Sequence, residues 1–460
     1  MNYREYRFTD IYISGEYAMK NNEENNSQPI TSIEILCVGT ELLMGQVVNT
    51  NAAFLAKELS SIGIPSYYQT VVGDNPARLQ KAVSDALARS DAVILTGGLG
   101  PTADDITMEI AAKSVGIPLE FHEDSATMIQ SYFTRMNRPM TPNNLKQAML
   151  PKGCIPLPNF NGTAPGAIIE TAVSSMDKVL FMLPGPPAEM RAMFETQVKP
   201  YLARRAPLEI QSKFVRLFGI GESAAETRLK DLIDSQTNPT IAPYCSDGEC
   251  MFRISKTNSK RSMAEDSSDN KDFEELIDKV KDRLGEYIYE IGERNMPKVV
   301  FDLLDQSKKT VSFAESCTSG IATGMLGDIA GASRVLKGSV IAYDNEIKES
   351  ILHVPAETLS EFGAVSQDTA IAMAVGCKNL MCSDYAVSIT GIAGPDGGTS
   401  EKPVGLVYIC VAGPFSKNTK ELHLTGNRSK IRYIASLNAY DLLRRTVLDD
   451  RRQEISKIAK

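Results

Sequence analysis

The sequence predicts an α/β protein in which two separate α/β sandwich domains are joined by a small α+β domain. Short apolar runs alternate with helical patterns over residues 31–204 and again over 296–460, and this alternation is typical of a parallel sheet with helices on both faces. Residues 205–295 show a different pattern, with strands and helices more loosely spaced. A chain of 460 residues is also too long for one hydrophobic core. The polar residues 1–30 predict a disordered N-terminal extension.

Apolar runs and amphipathic patterns predict the elements of each domain. In the first sandwich the predicted strands and helices are Ile33–Val38, Thr50–Ile62, Ala77–Arg89, Ala92–Thr96, Gly166–Thr171 and Lys178–Leu183. In the middle domain they are Phe214–Gly219, Ala224–Ile233, Met251–Lys256 and Phe273–Leu284. In the second sandwich they are Thr310–Ala314, Ile321–Ile329, Ser339–Tyr343, Asp368–Met381, Ala386–Thr390, Gly405–Ala412, Glu421–Leu424 and Ile431–Val447.

Composition narrows the class of protein. The net charge of −8 argues against a broad nucleic-acid surface, because backbone phosphates are bound chiefly by clustered Lys and Arg. The eight cysteines are scattered without a Cys-x-x-Cys pair, so a zinc site is not expected. We expect these cysteines to be the reduced thiols of a cytoplasmic protein. No apolar run approaches the roughly 20 residues that span a bilayer. We therefore expect a cytoplasmic protein with no membrane contact.

A serine follows the first predicted strand of the second sandwich, in the segment Ala314–Gly320. Ligands bind at the carboxyl ends of strands in open α/β sheets, so Ser316 is well placed to attack a bound carbonyl group. Backbone N–H groups of Thr318 or Ser319 would then hold the developing oxyanion. The segment alone favours instead a serine that caps the following helix, which is a common role for this residue type.

A serine nucleophile needs a base that takes its proton. His353 and His423 are the only histidines of this domain, and neither lies in a polar cluster. Lys348 stands five residues after Tyr343 at a second strand-to-helix junction, and a buried lysine can act as a base. Tyr343 would relay the proton or orient the substrate. The alternative is that Lys348 is one more solvated lysine on a helix.

A glycine-rich segment, Gly391–Gly398, allows close approach of the backbone to an anion such as a phosphate. Arg428 is the candidate cation beside it, and Arg432, one helical turn further, can share that role. A surface position at the start of a helix explains Arg428 equally well.

A second glycine-rich segment, Thr96–Asp105, follows a strand of the first sandwich and ends in two carboxylates. Asp104 and Asp105, with Asp74 and Glu189, are candidate ligands of a divalent metal that bridges phosphate oxygens. The alternative is that Asp104 and Asp105 cap the helix predicted over Ile106–Ser114, and this capping is compatible with binding of a metal.

Three segments of the second sandwich, Ala314–Gly320, Tyr343–Lys348 and Gly391–Gly398, resemble the nicotinamide-nucleotide amidohydrolase domain of the CinA family. In the first sandwich, Thr96–Asp105 resembles that family's molybdopterin-binding-like domain. The resemblance covers the chain from about Ser32 to Arg445. It implies a KH-like middle domain, although Gly219–Glu222 lacks the Gly-x-x-Gly clamp that holds nucleic acid. Ser319 also departs from the family, which usually has glycine there.

The resemblance implies an enzyme that converts nicotinamide mononucleotide and water to nicotinate mononucleotide and ammonia without a cofactor. The implied catalytic residues are Ser316, Tyr343 and Lys348, and the implied substrate-binding residues are Thr318, Ser319, Asn345, Gly391, Gly394, Gly397 and Arg428. A second implied activity is hydrolysis of ADP-ribose by the first sandwich with a divalent metal. The implied residues there are Gly97, Gly98, Gly100 and Thr102, with Asp74, Asp104, Asp105 and Glu189 on the metal.

Two other interpretations stay open. One is a non-catalytic interaction protein of competence or DNA damage, as the family's name implies, and the other is a molybdopterin-binding protein. The proximity of Ser316 and Lys348 in the fold separates the first of these from the enzyme. We expect a homodimer that acts on small nucleotides and does not bind nucleic acid.

Overall fold

The computed structural model describes residues 28–246, 248–259 and 269–458. The predicted extension 1–30 therefore lies almost entirely outside the described residues. The described residues form two compact units: the first comprises residues 28–211 together with 257–259, and the second comprises 212–246, 248–256 and 269–458. The α/β prediction is confirmed in both units, and each has its own sheets and hydrophobic cores.

The first unit contains a six-stranded sheet in the order β2-β1-β3-β8-β7-β6. The four strands from β2 to β8 are parallel, and β7 and β6 add antiparallel pairs. The strands of this sheet, in chain order, are β1 Ile33–Val38, β2 Gln69–Val72, β3 Ala92–Thr96, β6 Ile155–Leu157, β7 Gly166–Val173 and β8 Met176–Leu183. The short strands β4 Leu119–Phe121 and β5 Met149–Pro151 pair separately.

The alternation of apolar runs and helical patterns predicts an entirely parallel sheet. That prediction is wrong for β7 and β8. Strands β7 and β8 are joined by only Ser174 and Ser175, whose φ angles are 52° and 66°. Two residues with positive φ form the tight turn of a hairpin, so the two strands must be antiparallel. A parallel pair would need a crossover of a dozen or more residues.

Helices cover both faces of this sheet. Strand β1 is buried along its whole length, and its residues alternate between two cores: Ile33 and Ile35 face one core, and Leu36 and Val38 face the other. This two-sided burial is what a parallel strand between helical layers requires. The helices of the unit are α1 Thr40–Leu43, α2 Thr50–Ser61, α3 Pro76–Arg89, α4 Thr107–Ser114, α5 Glu123–Arg135, α6 Pro187–Met193 and α7 Lys199–Arg205. A 3₁₀ helix spans Pro142–Ala148, and a π-helical turn spans Phe194–Val198.

The second unit contains two sheets. The middle of the chain forms a four-stranded sheet in the order β10-β11-β9-β12, against which two helices pack. Its elements are β9 Leu208–Leu217, α8 Glu222–Asp234, β10 Thr240–Ser246, β11 Glu249–Ser259, α9 Asp269–Leu284 and β12 Ile288–Ile291. Two of these strands, β10 and β12, were not predicted from the sequence.

The C-terminal part forms a five-stranded sheet in the order β14-β13-β15-β16-β17, in which β13 is parallel to both of its neighbours. Strands β16 and β17 add antiparallel pairs, so the prediction of a parallel sheet is wrong for this end too, because residues 413–416 are too few for the crossover that a parallel pair needs. The strands are β13 Val311–Glu315, β14 Leu336–Ile341, β15 Tyr385–Gly391, β16 Leu406–Ala412 and β17 Lys417–His423. The helices are α10 Met296–Gln306, α11 Ile321–Gly327, α12 Asn345–Ser350, α13 Ala356–Phe362, α14 Gln367–Met381 and α15 Arg428–Ile458, with a 3₁₀ turn at Ala332–Arg334.

The middle segment and the C-terminal sheet share one core. Phe218 and Tyr289, from the two ends of the middle segment, are buried in the same hydrophobic cluster as Phe313 and Tyr440. The helix α15 has 31 residues and extends well beyond the predicted Ile431–Val447. In the part of the chain that the structure describes, no helix has the length and apolar character that crossing a membrane requires.

Candidate active site

Ser316 directly follows strand β13, whose neighbours β14 and β15 lie on either side. The chain leaves this strand at a point where crossovers go to opposite sides, which is where open α/β sheets bind ligands. The Ser316 N–H donates to the carbonyl oxygen of Ile389 at 2.9 Å, and the residue is only 8% exposed. The serine is therefore held at the carboxyl edge of the sheet, as predicted.

Glu315, the last residue of β13, fixes the segment that follows Ser316. Its carboxylate is fully buried and accepts hydrogen bonds from the N–H groups of Gly320 and Thr323 at 2.9 and 2.8 Å. The Thr323 hydroxyl donates to the same carboxylate at 2.6 Å. The start of α11 is therefore satisfied by Glu315, and its N-cap residue is Gly320.

The interpretation of Ser316 as a helix cap is thus wrong, because the N-cap lies four residues further on. The sequence analysis also missed Glu315. A carboxylate that stands shortly before a predicted helix start is the signal that could have identified it.

Arg432 supports the same loop from α15. Its Nε donates to the carbonyl oxygen of Cys317 at 3.0 Å, and its Nη2 donates to that of Thr318 at 2.8 Å. Two of the N–H groups of Arg432 are therefore used on backbone oxygens, and the expected sharing of a phosphate with Arg428 stays a prediction. Arg432 acts on the loop that carries the serine.

The two predicted oxyanion donors differ in this structure. The Ser319 N–H donates to the carbonyl oxygen of Ser316 at 3.1 Å. Within the described ranges, no acceptor lies within hydrogen-bond distance of the Thr318 N–H, and the buried Thr318 hydroxyl also has no partner. Thr318 is therefore the better candidate for an oxyanion donor.

Lys348 lies on α12, a short helix that begins after the side chain of Asp344 caps it. It is only 1% exposed, and its Nζ donates to the backbone oxygens of Tyr343 and Asp344 at 3.1 and 3.5 Å. Burial lowers the pKa of this amine, and the nearby groups of Asp344 and Cys317 oppose that shift only in part. The interpretation of Lys348 as a solvated surface lysine is wrong. The Ala342 N–H donates to the Glu315 carbonyl oxygen at 2.8 Å, so the segment that leads to Lys348 runs beside the strand end that carries Ser316.

Arg428 joins two predicted residues. Its Nη1 donates to the carbonyl oxygen of Gly394 at 2.9 Å, and its Nη2 donates to the hydroxyl of Tyr343 at 2.9 Å. The Tyr343 hydroxyl is thus bonded to Arg428, and the Tyr343 carbonyl oxygen is what contacts Lys348. This arrangement favours an orienting role for Tyr343 over a proton relay.

The remaining predicted residues of this site have separate environments. Asn345, Ser319 and Gly397 are exposed. Gly391 is required by packing, because a Cβ there would lie 2.6 Å from Cγ2 of Val407 on the next strand. His353 and His423 are both exposed, and His423 pairs with Glu421 at 2.8 Å, so neither histidine is bonded to the serine.

The predicted N-terminal residues surround a cavity of about 450 Å³ in the first unit. Gly97 approaches β1 so closely that a Cβ would lie 2.1 Å from the carbonyl oxygen of Val38. Thr102 does not line the cavity; its N–H donates to the Asp105 carboxylate at 2.9 Å and so orients that side chain. The other predicted residues that line it are Gly97, Gly98, Gly100, Asp74, Asp104, Asp105 and Glu189.

Five carboxylates line this cavity, because Glu41 adds to the four predicted ones, and separate partners hold Asp74 and Glu189. Asp74 accepts from the N–H and hydroxyl of Thr40 at 2.9 and 2.8 Å, and Glu189 accepts from the Asn159 amide at 2.7 Å. Burial raises the pKa of Glu189. No three acidic, histidine or cysteine side chains of the described segments are grouped as a metal site. The residues fit a cation held by one or two carboxylates together with substrate phosphates, which is how Mg²⁺ is commonly bound.

Two buried amides in this cavity escaped the sequence analysis. Asn51 donates to the Gly185 carbonyl oxygen at 2.8 Å and Gln147 to that of Leu99 at 3.3 Å. The amide oxygens of Asn51 and Gln147 have no partner among the described residues, although both side chains are buried. Both residues line the cavity, so their amide oxygens are candidate acceptors for a ligand.

Comparison with known proteins gives three family matches along the chain. They are the probable molybdopterin binding domain at residues 34–204, the damage-inducible protein CinA KH domain at 212–289 and the CinA C-terminal domain at 293–447. The CinA-like protein of Dictyoglomus turgidum is 49% identical over 90% of this chain and 99% of its own length. The chain belongs to the CinA family.

Other CinA relatives agree with that assignment. The CinA-like protein of Kosmotoga olearia is 46% identical over 90% of this chain and 98% of its own length. Among solved structures, the competence/damage inducible protein CihA from Agrobacterium tumefaciens is 37% identical, with a TM-score of 0.32. That match covers 32% of this chain and 91% of the other.

The backbone conformation of Ser319 has a cost. Its φ is 51°, in the left-handed region, and its side chain is exposed. Left-handed backbone is costly for a residue with a Cβ and easy for glycine. Ser319 therefore occupies a position whose backbone conformation favours glycine.

We expect Ser319→Gly to raise the free energy of unfolding of the second unit by about 0.5–1 kcal/mol, because the relief of left-handed strain exceeds the added entropy of the unfolded chain. Urea denaturation measures the change. Ser307→Gly is the matched control, since Ser307 has φ −85° and should lose stability. A loss of stability in Ser319→Gly would contradict the strain argument.

Proposed function

We propose that the C-terminal domain hydrolyses the carboxamide of nicotinamide mononucleotide to give nicotinate mononucleotide and ammonia. The observation that carries this proposal is Lys348: a fully buried amine, bonded only to backbone oxygens and with a lowered pKa, beside the loop of Ser316. A neutral amine near a serine hydroxyl is what activation of that serine requires. Among the described residues, no carboxylate forms an ion pair with Lys348 that would hold it protonated.

In the proposed reaction, the Ser316 hydroxyl oxygen attacks the carboxamide carbon while neutral Lys348 accepts the hydroxyl proton. The Thr318 N–H donates to the oxyanion that forms, and one such donor is typically worth about 10²–10³ in turnover. Protonated Lys348 then gives its proton to the leaving amide nitrogen, and the carbon–nitrogen bond breaks to release ammonia. A water molecule attacks the resulting ester, Lys348 takes its proton and returns it to the serine oxygen, and nicotinate mononucleotide leaves.

Arg428 is the proposed anchor of the substrate phosphate. Its guanidinium is exposed, it is positioned by Gly394 and Tyr343, and three of its five N–H donors remain for a ligand. Because Arg428 holds the Tyr343 side chain, binding of the phosphate and orientation of the ring are linked in this proposal. The reaction requires no cofactor.

Replacement of the nucleophile tests this proposal directly. Ser316→Ala should release ammonia from nicotinamide mononucleotide at least about a thousandfold more slowly than the unchanged chain, because no other group forms the ester. Ser307→Ala is the control, and circular dichroism checks folding of both variants. Residual activity within about tenfold, roughly 1.4 kcal/mol of barrier, would show that Ser316 is not the nucleophile.

Two substitutions of the lysine separate a base from a charge. Lys348→Arg and Lys348→Met should both lower kcat by at least about a hundredfold, because arginine cannot give up its proton and methionine has none to exchange. The control is Lys378→Met, which removes another lysine whose pKa is lowered by burial. Near-normal kcat in Lys348→Arg would identify Lys348 as a charge that attracts the substrate.

For the first unit, the second candidate function is hydrolysis of ADP-ribose. The cavity of about 450 Å³, with three predicted glycines and the four predicted carboxylates among its lining residues, favours a phosphate-bearing ligand that a cation accompanies. Asp104 and Asp105 would hold a divalent cation, which would supply charge neutralisation for the phosphates. Thr102 orients Asp105, and hydrogen bonding to Thr102 together with the Lys146 charge lowers the pKa of Asp104, which favours the ionised form of that carboxylate.

We expect Asp105→Asn and a chelator each to abolish ADP-ribose hydrolysis and to leave deamidation unchanged, because the two sites lie in separate units. Asp85→Asn, a change in an exposed ion pair with Lys81, is the control. Both activities are measured on the full chain. ADP-ribose hydrolysis that survives the chelator would exclude the cation, and loss of deamidation would contradict the metal-free serine mechanism.

A further inference from the structure

Two cysteines face each other in the hairpin formed by β10 and β11. Cys245 pairs directly with Cys250 across the antiparallel strands, and the pair Ser246↔Glu249 closes the turn. The two Sγ atoms are 3.7 Å apart. Among the eight cysteines of the chain, all of which lie within the described ranges, this is the one pair whose sulfurs are in contact.

The register suits a covalent bond between these sulfurs. In a hairpin with a two-residue turn the closing pair is hydrogen-bonded, so the next pair, Cys245 and Cys250, is of the non-hydrogen-bonded kind. Such pairs have Cα atoms about 4.5 Å apart, which is within the range of about 4.4–6.8 Å that disulfides span. Side-chain rotation alone can therefore bring the sulfurs to bonding distance.

The two thiols differ in access. Strand β10 is at the edge of the four-stranded sheet, and Cys245 is exposed, whereas Cys250 is buried at 3% exposure. A small oxidant can therefore reach the Cys245 sulfur, and Cys250 lies behind it. This is the arrangement of a thiol that reacts first and a second thiol that resolves the product.

We propose that Cys245 and Cys250 are a redox modification site. The two cysteines form a reversible intramolecular disulfide by thiol–disulfide exchange with a low-molecular-weight disulfide such as glutathione disulfide. The Cys245 thiolate attacks one sulfur of glutathione disulfide, forms a mixed disulfide and releases one glutathione thiolate. The Cys250 thiolate then attacks the Cys245 sulfur and expels the second glutathione. The two electrons reduce glutathione disulfide to two glutathiones, which take up the two protons that the cysteines lose.

The surroundings make this reaction slow at neutral pH. Burial raises the pKa of Cys245, and the Glu222 carboxylate raises it further. Burial also raises the pKa of Cys250 to about 12. Since the thiolate is the reactive form, the rate should rise with pH. The pair therefore responds to sustained oxidising conditions and not to a brief pulse of oxidant.

The test uses the full chain in the Cys382→Ser background, which removes the other exposed cysteine. The protein is incubated with glutathione disulfide, the remaining thiols are blocked, and peptides are analysed by mass spectrometry before and after dithiothreitol. We expect a Cys245–Cys250 cross-linked peptide that dithiothreitol releases. In Cys250→Ser, added to the same background, we expect instead a stable glutathione adduct on Cys245, because no thiol can resolve it.

A persistent glutathione adduct on Cys245 while Cys250 stays free would overturn the proposal, since the second step would then fail in the unchanged pair. Two unmodified thiols after prolonged incubation at raised pH would overturn it as well, because thiolate formation is the one kinetic barrier that the structure indicates. A cross-link between two chains would also contradict it.

Discussion

A single buried carboxylate determines how the proposed active site is built. Glu315 is fully buried, and an uncompensated charge in such a place would cost several kcal/mol. Its compensation comes from the N–H groups at the start of α11 and from the Thr323 hydroxyl. The loop between β13 and α11 must therefore fold back over Glu315. Ser316, the next residue along the chain, is held at the edge of the sheet by the same contacts.

The helix α15 supplies the second half of this support. Arg432 holds the two carbonyl oxygens that follow Ser316, Arg428 joins Tyr343 to Gly394, and the Tyr440 hydroxyl donates to the Ala322 carbonyl oxygen at 2.6 Å. One long helix thus connects the serine loop, the glycine-rich loop and the tyrosine. The middle segment also packs on this helix. Gly248 lies so close to it that a Cβ at this position would be 3.3 Å from Cγ1 of Ile434. These contacts give the middle segment a structural link to the proposed site.

The sequence predicted most of the strands and long helices of both sandwiches, since apolar periodicity reports burial directly. It also predicted that Arg428 lies beside the glycine-rich segment that contains Gly394, because strand ends in a parallel sheet converge at one edge. It could not predict the antiparallel pair of β7 and β8, since the two-residue turn at Ser174 and Ser175 has no glycine to mark it.

The roles of Arg432 and Glu315 were missed for a different reason. Both act through backbone atoms, and periodicity and residue type carry no information about which carbonyl or N–H group a side chain will reach. The burial of Lys348 could not be predicted either. Its position in the sequence is compatible with a solvated lysine on a helix, and only tertiary packing buries the side chain.

The central claim is that Lys348 works as a neutral base, and the pH dependence of kcat for deamidation of nicotinamide mononucleotide tests it most directly. Burial lowers the pKa of this amine from its ordinary 10.5, so the active neutral form accumulates as pH rises through the lowered value. The account predicts a rate that climbs about tenfold per pH unit and levels off below pH 10.5. A rate that is independent of pH from about 6 to 10, in a chain that remains folded, would contradict it.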